Sequence, residues 1–133
     1  MSEFIMLSIP LVETTANVAE TKGAAVPTGG SAKWRVVGAE LHPDTNRTAN
    51  DTNFATLALK VGSTTLGSFT TETTGSGGVG NLVALTPVAF DLADEEGSPA
   101  VAGSSSVNVA VTKAASGVAV TGIVTVLCEA VRA

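Results

Sequence analysis

The chain has no tyrosine, one tryptophan, one cysteine and one histidine, and only 14% of its 133 residues are charged. Each scarcity closes a class of function. A single cysteine, Cys128, cannot form an intramolecular disulfide, and a single histidine, His42, leaves no pair for a histidine-rich metal site. Helices in water carry Glu, Lys and Arg on their outer faces, and this chain has few to place there, which disfavours a helical bundle. Seven Lys and Arg against twelve Asp and Glu give a net charge of −5, which repels phosphate backbones and disfavours nucleic-acid binding. No stretch approaches the roughly 18 uninterrupted apolar residues of a membrane span. The apolar run from Phe4 to Val12 is too short for one, and Glu3 precedes it where a signal peptide needs positive charge. The expectation is a soluble protein made in the cytosol, where a lone cysteine stays reduced.

What is present is enough for a core. Hydrophobic residues make up 44% of the chain and the mean hydropathy is +0.37. A mass of 13.2 kDa fits one domain and leaves no room for a second, catalytic one. The surface must then be covered by Thr, Ser, Asn and Gly, a coat that suits a β-rich shell. From Lys33 onward, short β-branched runs recur between turn residues at the spacing of a sandwich or jelly roll. Period-two alternation predicts strands over Trp34–Leu41, Phe54–Val61, Thr64–Thr71, Val79–Leu85, Pro87–Leu92, Ser106–Thr112 and Val118–Val131. The predicted core comprises Trp34, Leu57, Leu59, Val88, Phe90, Val107, Val109, Val111, Val124 and Val126. The expected fold is all-β, a β-sandwich of jelly-roll type spanning residues 32–133.

Residues 1–31 read as an N-terminal extended arm and linker. The arm begins with Phe4, Ile5, Met6, Leu7, Ile9, Leu11 and Val12, too apolar to remain in water. Pro10 cannot donate a ladder hydrogen bond, so this segment should lie at a sheet edge: in its own sandwich, in a neighbouring protomer or along a larger partner. On the partner reading, Phe4, Ile5, Leu7, Ile9 and Leu11 form the contact. The last run, Val118–Val131, is apolar on both faces, so it lies between layers or its second face meets another chain. That surplus, with so few charges to keep a monomer's surface clean, predicts a homotrimer.

Constellations that could carry chemistry are few. His42 and Asp44 could form a dyad with a nearby hydroxyl, but there is no Gly-x-Ser-x-Gly elbow, and a polar strand end is the plainer reading. Asp91, Asp94, Glu95 and Glu96 with Gly97 could offer oxygen ligands to calcium, yet their spacing is not that of an EF-hand loop, and a solvated acidic loop explains them. Asn46-Arg47-Thr48 and Asn50-Asp51-Thr52 match the glycosylation sequon, but read as turn-forming asparagines in a chain without a secretory signal. The glycine-rich Gly75–Gly80 segment has no following Lys-Ser/Thr and opens no helix, so it is no phosphate cradle. Trp34 reads as a core residue rather than a sugar platform, and Cys128 as a small buried hydrophobe. No catalytic, metal-binding or cofactor-binding residue is assigned, and the chain is not expected to be an enzyme.

The segments Trp34-Arg35-Val36-Val37-Gly38-Ala39-Glu40-Leu41-His42-Pro43 and Thr48-Ala49-Asn50-Asp51-Thr52-Asn53-Phe54-Ala55-Thr56-Leu57-Ala58-Leu59 lead into one another through an asparagine-rich corner and an aromatic-led strand. A later Ala102-Gly103 turn launches a valine-rich strand. This pattern, over roughly residues 34–127, resembles the small trimeric jelly-roll decoration or cement proteins on the heads of tailed bacteriophages. The resemblance implies a structural protein on the outer surface of the virion capsid, synthesised in the host cytoplasm. It would bind the major capsid protein and itself as a homotrimer, with no nucleic acid or membrane partner and no cofactor. The acidic charge suits the outside of a DNA-filled shell. Two other readings remain at this point: a carbohydrate- or receptor-binding module of a fibre or adhesive appendage, and a pilin-like subunit joined by strand addition.

Overall fold

The computed structural model describes residues 4–12, 18–26, 33–73, 77–92, 100–101 and 106–131. Among them all regular structure is β, in nine strands: β1 (Phe4–Val12), β2 (Glu20–Ala25), β3 (Lys33–Pro43), β4 (Ala55–Val61), β5 (Thr64–Thr70), β6 (Val88–Ala89), β7 (Ala100–Val101), β8 (Ser106–Lys113) and β9 (Thr121–Val131). One sheet runs β1-β9-β3, with β6 and β7 sharing the far side of β3; the other runs β2-β8-β4-β5. Every ladder is antiparallel and the pairing is nested. β1 pairs with β9, β2 with β8, β3 with β6 and β7, and β4 with β5. This is one long hairpin wrapped into two layers, the connectivity of a jelly roll.

Alternation builds the core. On β8, Val107, Val109 and Val111 are buried opposite Val61, Leu59 and Leu57 of β4. On β9, Val124, Val126 and Cys128 point inward, flanked by Ile9, Leu7 and Ile5 on one side and by Leu41, Ala39 and Val36 on the other. The two layers are tied by an aromatic pair: Phe69 on β5 and Phe90 just after β6 have ring centroids 4.9 Å apart, tilted by 54°. Of the ten core residues read from the sequence, nine are buried; Val88 is half-buried and packs against the same cluster.

The N-terminal segment packs in the sandwich. Of the three places open to the N-terminal segment, the structure shows the first, the edge of its own sandwich, with all nine residues of β1 in register with β9. Leu7, Ile9 and Leu11 are 9%, 0% and 1% exposed, so they belong to the core of this sandwich. The cause is parity: these three and Ile5 share one face of the strand, and only the other face looks outward. Pro10 sits on the edge strand, as its missing donor requires. The linker contains a strand too. β2 has almost no β-branched residues, and what makes it a strand is the ladder offered by β8; Asn108 folds over Gly23, where a Cβ would collide with the asparagine oxygen.

Two other expectations fail locally. Val79–Leu85 is not a strand: Gly77, Gly80 and Leu85 have φ of 84°, 78° and 67°, and the segment is held by scattered bonds, Val79 N–H to Thr70 O, Gly80 N–H to Glu72 O and an isolated bridge between Leu82 and Arg47. Of Pro87–Leu92, only Val88 and Ala89 pair. β3 continues through His42 and Pro43 because β9 still faces it there. The acidic stretch 94–99, the Ala102-Gly103 turn and the 27–30 segment of the linker lie outside the described residues.

Candidate functional site

His42, Asp44 and Cys128 are each held by neighbours of their own. His42 Nε2 lies 3.2 Å from Thr125 Oγ1 and 3.1 Å from Glu40 Oε1. A relay needs the hydroxyl on one ring nitrogen and the carboxylate on the other, whereas here both meet the same atom. Asp44 is engaged elsewhere. Its carboxyl accepts from the Thr121 and Thr45 hydroxyls, which hold its pKa below the ordinary carboxylate value, and its N–H donates to Thr121 O at 3.2 Å. Asp44 thus clasps the end of β3 to the start of β9. Cys128 is fully buried, and burial pushes its thiol up to about 11. A protonated thiol in a hydrocarbon layer is no nucleophile. No group of three potential metal ligands exists among the described residues. Trp34 is buried, which removes the one tryptophan from any sugar-stacking surface.

The asparagine corner is a scaffold. Asn50 Oδ1 accepts from the N–H groups of Thr52 and Asn53 at 2.8 and 2.7 Å. Asn46 Oδ1 accepts from Ala84 N–H, Asn53 Oδ1 from Ser116 N–H and Asn81 Oδ1 from Ala49 N–H, at 2.8, 3.0 and 2.7 Å. Each replaces a missing backbone partner, so loops distant in sequence lock together at one end of the sandwich.

The outer face of the β1-β9-β3 sheet is different in kind. Phe4, Met6 and Val12 of β1 are 53%, 61% and 65% exposed, and Ile123 of β9 is 46% exposed. Register places these residues in cross-strand rows: Met6 opposite Leu127 and Gly38, and Pro10 opposite Ile123 and His42. Among the described residues, the outer side of β9 is half-exposed at Thr125, Leu127 and Glu129 and open at Ile123. Two of the charges on this face pair with each other, Arg35 Nη2 donating to Glu129 Oε1 at 2.5 Å across the β3–β9 ladder. Of the contact residues read from the sequence, Phe4 lies on this face, Ile5 is half-buried against the core, and Leu7, Ile9 and Leu11 are inside. Met6, Val12, Ile123 and Leu127 share the outward side, and strict alternation from Ile9 places the first two there.

Two finer features complete this part of the surface. A groove of about 350 Å³ crosses the sheet, lined chiefly by Met6, Gly38, Glu40, Ala89, Phe90 and Leu127. Nothing stands within 4 Å of where a Gly38 Cβ would sit, so the groove owes part of its depth to that glycine. Beyond the Pro43 end of β3, a turn closed by Thr86 N–H to Val83 O at 3.1 Å holds Leu85 at φ 67°. That is the third position of a type II turn, which favours glycine, and a leucine there carries about 1–2 kcal/mol of strain. Leu85 is 89% exposed. No family model, curated protein or solved structure matches this chain.

Proposed function

We propose that this chain is a non-enzymatic structural protein of the capsid-decoration kind. It binds the outer surface of a phage head as a homotrimer and holds neighbouring major capsid subunits together. The observation that carries the reading is the uncovered apolar face of the β1-β9-β3 sheet, with Phe4, Val12 and Ile123 presented to solvent. Contiguous exposed apolar side chains on one sheet face are the mark of a protein contact rather than of a soluble monomer's surface. The absence of a relay geometry at His42 and the buried, protonated Cys128 agree with a mechanical role. The jelly-roll pairing agrees with the resemblance of residues 34–127.

The mechanism is additive contact. Three tethered copies bind with high effective concentration, so weak individual docking becomes tight overall. Each docked copy adds interactions that must break before the lattice opens under internal pressure. The test is to mix the purified protein with undecorated heads and image the particles, alongside Ile123→Glu. Both residue types leave the core untouched, since Ile123 faces outward. Density on the outer surface with the native chain and none with the variant supports the reading; heads left bare by the native chain refute it.

A further inference from the structure

We propose that two copies of this chain join edge to edge, β1 of one pairing antiparallel with β1 of the other about a two-fold axis at Met6, so that their β1-β9-β3 sheets run on as one. The contact is separate from the three-fold assembly of the reading above and needs nothing of the capsid. Where both form, it links one trimer to the next.

The direction of the backbone groups on β1 follows from the neighbouring strands. Phe90 N–H donates to Ala39 O at 3.0 Å, so the backbone groups of Ala39 face away from β9. Ala39 and Val126 are then a non-hydrogen-bonded pair, the groups of Val126 face β1, and those of Leu7 opposite it face β9. Asp44 N–H donates toward β9, to Thr121 O, as the same phase requires. Alternation sends the N–H and C=O groups of Phe4, Met6, Ser8 and Val12 to the free side, with Pro10 among them as the residue without a donor. Among the described residues no strand pairs with that side.

Sheet edges are ordinarily protected against a further strand, and the other edges here are. β6 and β7 have two residues each, and β2 carries Glu20 and Lys22. β5 has a register shift against β4 at Leu59 and Lys60 and is met at Thr70 by a bridge to Gly78. β1 has nine residues, no charge and an unbroken register with β9, and Pro10 guards only its second half.

That composition also selects the occupant. An added strand must cover the core at Ile5, which is half-buried where Leu7, Ile9 and Leu11 are covered, and must continue the outer row at Phe4 and Met6. It is therefore apolar on both faces and uncharged. Of the described edges, β1 has that composition, whereas β2 is charged and β5 is mostly Thr, Ser and Gly. A chain of net charge −5 repels its copies, but β1 sets no charge against its own image. Pro10 fixes the register. Phe4 against Ser8 of the second copy, Met6 against Met6 and Ser8 against Phe4 engages three consecutive edge-facing residues and leaves Pro10 outside. Moving the axis toward Ser8 would set Pro10 against Phe4 or Met6 and lose a bond. On the inner side the same register brings Ile5 against Leu7 of the second copy, a self-complementary contact as a two-fold requires.

The test is sedimentation and amide hydrogen exchange of the full chain without heads, from about 10 μM to about 1 mM. With rising concentration the native chain is expected to assemble and the Met6 and Ser8 amides to become protected, while Val12, beyond Pro10, stays unprotected. Ser8→Pro removes an edge donor and should weaken assembly about tenfold or more. Should that variant fail to fold, the exposed Met6 position carries the test alone. Met6→Lys and Met6→Glu each oppose like charges at the axis and should each weaken assembly about tenfold or more, whereas their mixture opposes unlike charges and should restore it. A native chain whose edge amides never gain protection, Met6 variants that assemble like it, or a mixture no stronger than its components would overturn the proposal. Protection of Met6 and Ser8 that arises only when heads are added would give the edge to the capsid and also overturn it. Head binding itself is read with Ile123→Glu, so heads decorated by a chain whose edge never pairs would sink this contact and leave the reading above standing.

Discussion

Replacing Ile9 with alanine separates a first strand from a free arm. Ile9 is fully buried, faces Val124 across the β1–β9 ladder and belongs to the cluster that fills the sandwich. Truncating such a side chain removes three methyl or methylene groups and leaves a cavity whose walls belong to two sheets, at a cost of about 2–5 kcal/mol. Met6 lies three residues away on the same strand but is 61% exposed, so Met6→Ala should cost less than about 0.5 kcal/mol. In urea, with a slope of about 1–3 kcal/mol per molar, the Ile9 variant should lose on the order of 1–2 M of its midpoint and the Met6 variant almost none.

Equal midpoints for the two variants would refute the inward phase of β1, because a partner-binding arm contributes nothing to the stability of the isolated chain. Deletion of residues 1–12 carries the same logic further. It strips one side of β9 and lays the flanks of Val124 and Val126 open to water, so loss of the cooperative transition is the expected outcome. A truncated chain that melts like the native one would contradict the strand assignment outright.

Three further outcomes follow from the packing and the electrostatics. Phe90→Ala should destabilise by about 3–5 kcal/mol in the same urea assay, since the ring is buried and paired with Phe69 between the layers; a loss under about 1 kcal/mol would mean that the layers do not meet there. Cys128 should resist thiol reagents at pH 8 in the folded protein and react on unfolding, and rapid labelling of the native chain would contradict its burial. Asp44 should titrate below its ordinary value of 3.8 in an NMR experiment, and Thr121→Val should move it upward. Because the folded pKa is the lower one, the clasp contributes above the unfolded value and is lost as pH falls through the folded one; an unmoved titration in Thr121→Val would show that the hydroxyl is not the cause.

The strands that could be read from the chain are those whose two faces differ. β8 reads Val107, Val109 and Val111 against Asn108, Ala110 and Thr112, and β4 reads Ala55, Leu57 and Leu59 against Thr56, Ala58 and Lys60, so period two identifies both. β1 has apolar residues on both faces, so the alternation of Ile5, Leu7, Ile9 and Leu11 does not by itself say whether they face their own sandwich or another chain. β2 has hardly any apolar side chains and is a strand only because β8 lies beside it, a tertiary fact that no local pattern encodes. Val79–Leu85 failed in the other direction: valine and leucine suggested a strand, but Gly80 and the left-handed Leu85 turn the backbone out of extension. Reading the site suffered from the same blindness. Parity could have sorted Met6 and Val12 from Leu7 and Leu11, whereas the groove needs Gly38, Ala89 and Leu127 from three different strands, and the exposure of Leu85 depends on its φ.

The uncharged composition and the two-sided strands are one fact seen twice. A sandwich needs one apolar face per sheet, and the β2-β8-β4-β5 sheet follows that economy: Lys60, Asn108, Thr112 and Thr56 look outward where Val and Leu look inward. The β1-β9-β3 sheet does not, since Phe4, Met6, Val12 and Ile123 repeat outside the hydrophobicity that Leu7, Ile9, Val124 and Val126 already provide inside. None of those outer residues strengthens the monomer's core, and each lowers its solubility. A sequence that places the surplus on one sheet, cancels the Arg35 and Glu129 charges beside it and sets a strained leucine at the end of the same sheet has arranged its apolar surface by side. That asymmetry is the property a protein needs when one of its faces is meant to leave water on assembly.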